Sequence, residues 1–95
     1  MSDKRVVQRG YRIRGRVQGV FFRAWTRQTA LELGLGGTVK NVPDGSVEAH
    51  LIGPESEVEK MEARFWEGSP ASWVEGVERV ESSHVLNADV FLILH

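Results

Sequence analysis

Residues 36–53 read GGTVKNVPDGSVEAHLIG, and their pattern decides the architecture. Val47, Ala49 and Leu51 alternate with Glu48, His50 and Ile52, the period-two pattern of a strand with one face buried. Thr38 to Val42 precede them as another strand, and Pro43-Asp44-Gly45 lies between. Proline presets φ for a turn, aspartate bonds backbone two residues on, and glycine accepts the positive φ that closes the reversal. The stretch predicts a hairpin.

Outward from the hairpin the period changes to that of a helix on both sides. Before it, Phe22, Thr26, Ala30 and Leu33 recur at helical spacing across residues 22–34, with Arg23, Arg27 and Glu32 off the stripe and Gly34 as a stop. After it, Pro54 opens a second helix whose inward stripe is Val58, Met61 and Phe65 among many glutamates, closed by Gly68 and Pro70. Farther out, Val7 to Ile13 alternate as a first strand with Tyr11 and Ile13 inward, ending near Gly15. WVEGVERVESSHV (73–85) and NADVFLILH (87–95) supply two more strands, joined near Leu86 to Asp89.

The order strand, helix, strand, strand, helix, strand, strand predicts an α+β fold: a ferredoxin-like two-layer sandwich, with a mainly antiparallel four- to five-stranded sheet and two helices on one face. In a split β-α-β unit the first two strands run parallel with the third between them. The loop after strand one, Gly15 to Val20, then lies beside Lys40 and Asn41. Val90, Leu92 and Leu94 would put apolar side chains on the helix-free face, so the expected monomer has a surface for weak self-association.

With 95 residues the chain predicts one domain spanning 1–95, frayed at residues 1–5. The 41% hydrophobic and 26% charged fractions suit an ordinary globular protein, and no apolar run approaches a membrane span. MSDKRVVQRG has no apolar core of a signal peptide, which points to a cytoplasmic location and no membrane partner. Zero cysteines exclude disulfides and thiolate catalysis. The net charge of −1 argues against a nucleic-acid partner. Basic residues nevertheless concentrate in the first part of the chain: Lys4, Arg5, Arg9, Arg12, Arg14, Arg16, Arg23, Arg27 and Lys40 stand against only Asp3 and Glu32 up to residue 41. That imbalance favours an anion.

GRVQGVFFR, Gly15 to Arg23, joins the first strand to the first helix. Successive N–H groups in such a loop form a positive concavity suited to phosphate, and Gly15 and Gly19 permit the backbone angles. An arginine in a helix's first turn is unfavourable by about 0.3–1 kcal/mol unless an anion sits there, and its fork can grip two phosphate oxygens. An ordinary strand-to-helix turn has the same glycine spacing. Asn41 reads two ways, as a turn-flanking residue or as an amide whose carbonyl oxygen orients a water near the loop. His50, His84 and His95 fall on separate strands without ligand-spaced partners, so each is expected at a surface or edge position and no metal site is predicted.

GRVQGVFFR, LGLGGTVKN and DGSVEAHLIG, in this order, closely resemble the acylphosphatase family over residues 7–95. The resemblance implies that Gly15, Arg16, Val17, Gln18, Gly19 and Val20 cradle a phosphate through backbone N–H groups, that Arg23 binds it, and that Asn41 positions the attacking water. It implies hydrolysis of a small acyl phosphate to carboxylate and inorganic phosphate, with no cofactor and no covalent phosphoenzyme. Thr38, where many members carry a large aromatic, and Ser69 depart from the family pattern. Two competing readings are an RNA-binding sheet, for which the glycine–aromatic alternation is missing, and a domain of the same family that binds without turnover.

Overall fold

A computed structural model describes residues 5–95 as β1 (Val6–Arg16), α1 (Phe22–Glu32), β2 (Gly36–Asn41), β3 (Val47–Pro54), α2 (Glu55–Glu67), β4 (Trp73–Val80) and β5 (Phe91–Leu94). The strand order across the sheet is β4-β1-β3-β2-β5. β3 runs antiparallel to both β1 and β2, so those two are parallel neighbours of a shared central strand, as the split β-α-β reading requires. β5 pairs in parallel with β2, from Gly37 opposite Phe91 to Lys40 opposite Leu94, which makes the sheet mixed. The expected frayed start lies outside the described residues apart from Arg5, whose guanidinium pairs with Glu55.

The core forms where the inward stripes meet. Tyr11 and Ile13 of β1, Val39 of β2, Val47, Ala49 and Leu51 of β3, and Phe91 of β5 share it with Phe22 and Ala30 of α1 and Val58, Met61 and Phe65 of α2. Both helices thus cover one face of the sheet. The Tyr11 and Phe65 rings meet with centroids 5.5 Å apart, and the phenol donates to Glu62 Oε1 at 2.8 Å. Burial and that carboxylate push the phenol up to about 12.

The opposite face is not open. β4 and β5 occupy opposite edges, so residues 81–90 must travel across the sheet, a longer connection than Leu86 to Asp89. Gln8 Nε2 of β1 holds this strap by donating to Ser82 Oγ at 3.0 Å and to the His84 carbonyl at 2.8 Å. His50 of central β3 lies beneath it, contrary to the surface or edge position expected of each histidine, because it is the outward residue of a strand that the strap covers. Beyond the strap, Val90, Leu92 and Leu94 remain 37–51% exposed on the apolar edge anticipated from their alternation.

Candidate active site

Because β1 and β2 are parallel and end together, the loop after β1 meets the end of β2. Ile13 and Asn41 both register with Val47 of β3, one from each side. The loop closes over this end through Gln18, whose Nε2 donates to the Val42 and Ser46 carbonyls, each at 2.8 Å. Those carbonyls belong to the β2–β3 turn. Within that turn Ser46 donates from its amide and its hydroxyl to Asp44 Oδ1, at 2.9 and 2.6 Å. The two bonds, with Arg14 beside the other oxygen, hold the Asp44 carboxyl at about 2. Gln18 therefore acts through its side chain as a staple between loop and turn.

A pocket of about 320 Å³ opens between the loop, the start of α1 and the ends of β2 and β5. Val17, Gly19, Arg23 and Asn41 line it together. The remaining loop residues point elsewhere: Gly15 and Arg16 border a cavity beside Asp44 and Glu75, and Val20 borders one toward the α2–β4 loop. Gly15 has φ 130°, and a Cβ there would lie 2.1 Å from the Trp73 carbonyl oxygen, so its glycine serves the bulge against β4. Gly19 has φ 74° with nothing within 4 Å of a built Cβ, so it gives the loop a left-handed turn facing open space.

Among the described residues, no acceptor takes a hydrogen bond from the backbone N–H groups of residues 17–24. Part of this follows from helix geometry, since the first turn of α1 leaves its donors unpaired, and the first turn holds no acidic residue. Arg23 stands there half-buried. Its Nη1 donates to the Leu94 carbonyl at 3.1 Å and lies 3.4 Å from His95 Nδ1, which fixes the guanidinium against the end of β5. Arg27, one turn on, donates to the Phe91 carbonyl at 3.1 Å. Across the pocket, Asn41 Oδ1 is buried with no partner among the described residues. An orphaned acceptor costs about 1–3 kcal/mol, so a hydrogen-bond donor is the natural complement of this wall.

Ile93 and His95 also line the pocket, and sequence reasoning missed them. Their arrival depends on β5 pairing with β2, and the only signal for it was the apolar alternation of FLIL. On the strap side, Glu48, His50 and His84 bring ligand-type atoms within 4.8 Å of one another. Glu48 and His50 already have partners: His50 Nε2 meets Glu48 Oε2 at 2.6 Å, Arg12 Nη2 donates to Glu48 Oε1 at 2.8 Å, and His50 Nδ1 meets Ser82 Oγ at 2.7 Å, while the His84 ring lies against His50 with centroids 3.9 Å apart. The His50 bond leads in holding the Glu48 carboxyl below the usual carboxylate range, aided by Arg12. Glu48 and His50, with Ser82 and Arg12, form a hydrogen-bonded network that fastens the strap.

The geometry has close counterparts among known proteins. The model of the Acylphosphatase family matches residues 9–93. An acylphosphatase of Rhizorhabdus wittichii is 53% identical over 72 residues, covering 76% of this chain and 73% of the relative. Among solved structures, an acylphosphatase from Coxiella burnetii superposes with a TM-score of 0.86 at 33% identity, covering 99% of this chain and all of the other. An acylphosphatase from Bacillus subtilis gives 0.85 at 34% identity, covering 96% of this chain and again all of the other. The match in sequence runs through loop, helix and hairpin, and the match in structure through the whole sheet: this chain belongs to the acylphosphatase family.

Proposed function

We propose that the chain hydrolyses acyl phosphates, and that the pocket between Arg23 and Asn41 is where it does so. The observation that supports this reading best is the pairing of opposite chemistries across one pocket: unpaired N–H donors and a guanidinium on one wall, an unpartnered amide oxygen on the other. The loop from Gly15 to Val20 receives the three phosphate oxygens, with the amides around Gly19 nearest and Arg23 neutralising charge. Asn41 Oδ1 accepts a hydrogen bond from a water and aims its oxygen at phosphorus. A bond forms between that oxygen and phosphorus while the bond from phosphorus to the carboxyl oxygen breaks. The electron pair leaves with the carboxylate, and the water's proton passes to a phosphate oxygen or to solvent. A carboxylate leaves readily, so positioning and charge stabilisation suffice without a strong protein base. The partners are then a small acyl phosphate and inorganic phosphate.

Phosphate release from acetyl phosphate, measured without added metal, tests the assignment. Arg23→Ala is expected to raise KM and to lower kcat by about 100-fold or more, the scale of losing one charge-stabilising donor. Asn41→Ala is expected to lower kcat by a similar factor of about 100 with KM little changed, as misplacing one reactant does. A folded wild type that binds phosphate and releases none would make the loop a binding site instead.

A further inference from the structure

The strap brings together side chains that lie far apart along the chain. His50 of β3 and His84 of the strap meet on the helix-free face with ring centroids 3.9 Å apart. Glu48 points out from β3 on the same side, and one of its oxygens lies with one nitrogen of each histidine inside a span of 4.8 Å. Two imidazoles and a carboxylate are a donor set for zinc, whereas magnesium and calcium are held by oxygen ligands.

Neighbouring side chains hold two of the three groups in a ligand's orientation. Arg12 Nη2 takes up Glu48 Oε1 at 2.8 Å, which leaves Oε2 to face His50 Nε2 at 2.6 Å. On the other side of the ring, Ser82 Oγ lies 2.7 Å from Nδ1. The ring rests on Gly10, where a Cβ would come within 3.0 Å of Nδ1 and Cε1, so it cannot swing toward β1. A hydrogen-bonded partner on the second ring nitrogen is what fixes a ligating histidine in its tautomer and orientation. His50 is 2% exposed, whereas His84 is exposed. The His84 carbonyl is held by Gln8 Nε2 at 2.8 Å, but its ring has only the stacking contact with His50 among the described residues. His84 is therefore the movable member of the set.

We propose that Glu48, His50 and His84 bind one zinc ion, which ties the strap to the central strand. The ion takes the place of the proton between His50 Nε2 and Glu48 Oε2. That proton passes to solvent, or to Nδ1, which then donates to Ser82 Oγ. Zinc bonds of about 2.0–2.1 Å at tetrahedral angles set ligand atoms about 3.3 Å apart. Glu48 Oε2 accordingly withdraws from His50, the His84 ring turns inward, and a water fills the fourth position. Arg12 and Lys40 put positive charge near Glu48, with Asp44 3.9 Å from Arg12 offsetting part of it, so the affinity is micromolar rather than nanomolar. None of the three ligands lines the pocket of Arg23 and Asn41, and the ion acts on the strap and not on hydrolysis.

The full chain, stripped of metal by a chelator and dialysed, is melted with zinc chloride or magnesium chloride and titrated with zinc in a calorimeter. Zinc at about ten times its Kd is expected to raise Tm by about 5 °C or more, with one site per chain, while magnesium leaves Tm unchanged. His84→Ala alters an exposed side chain, so the variant is expected to fold, to bind zinc at least about tenfold more weakly and to lose the Tm shift. His95→Ala, at the other exposed histidine, is expected to change neither quantity. A wild type that does not bind zinc overturns the site, as does a loss of less than about tenfold in His84→Ala. Loss in His95→Ala with His84→Ala unaffected overturns it too, since the ion would then belong to the other end of the sheet.

Discussion

Gly15 and Gly19 bracket the same loop for unlike reasons, and the difference is measurable. A methyl at Gly15 would collide with the Trp73 carbonyl, a backbone atom that cannot yield without breaking the bulge. Gly15→Ala is expected to cost about 3 kcal/mol or more in a denaturant melt, among the larger effects of a single substitution. Gly19→Ala meets only open space, and its expected cost is the left-handed strain of about 1 kcal/mol, with a larger effect on phosphate binding than on stability. Sequence spacing made the two glycines look alike because it records where a residue sits along the chain and not what crosses behind it. That Arg23 and Asn41 come to line one pocket was legible for the opposite reason, since parallel β1 and β2 must end side by side. The side chain of Gln18 was not legible: an amide that bonds two turn carbonyls looks the same in sequence as one aimed at a ligand.

Among elements, the strap over residues 81–90 was the least readable and carries its own test. Both helices and the hairpin announced themselves by period, with Val58, Met61 and Phe65 fully buried as their spacing required. The strap has no period, because irregular backbone is held by individual hydrogen bonds that leave no repeating mark. Its fastening runs through Gln8, whose single amide nitrogen reaches Ser82 and His84. Gln8→Leu keeps the side chain's bulk and removes those bonds. It is expected to lower stability by about 1–3 kcal/mol and to raise amide hydrogen exchange in the strap, while α1 and α2 keep their protection. Uniform loss of protection would show instead that the strap is part of the cooperative core. His84 and His95 are exposed as expected, and only His50 was misjudged: outward-facing on β3, it would be a surface residue if the chain did not return over it.

For the molecule as a whole, ionisation sets a stability plateau with two falling edges. Hydrogen bonds from Ser46, with Arg14 beyond them, hold Asp44 at about 2, and the His50 bond leads in lowering Glu48. Burial alone would raise Glu62, but Tyr11 and Arg79 outweigh it and leave that carboxyl lowered as well. Below about pH 4.5 the unfolded chain binds protons that the folded one refuses, so stability is expected to decline as pH falls toward about 2. Tyr11 acts in the other direction: with its phenol at about 12, the unfolded chain ionises first above about pH 10, and stability declines again. Melts from pH 2 to 12 trace both edges, and Tyr11→Phe is expected to remove the alkaline one and, by taking away a bond that helps lower Glu62, to make the acid one shallower. The whole molecule also has an order of manufacture. Synthesis delivers the loop after β1 and Asn41 early, but the Leu94 carbonyl that fastens Arg23 belongs to β5, laid beside β2 from more than fifty residues away. A nascent chain therefore carries the loop long before it carries the anchor, and the site matures as the last strand of the sheet arrives.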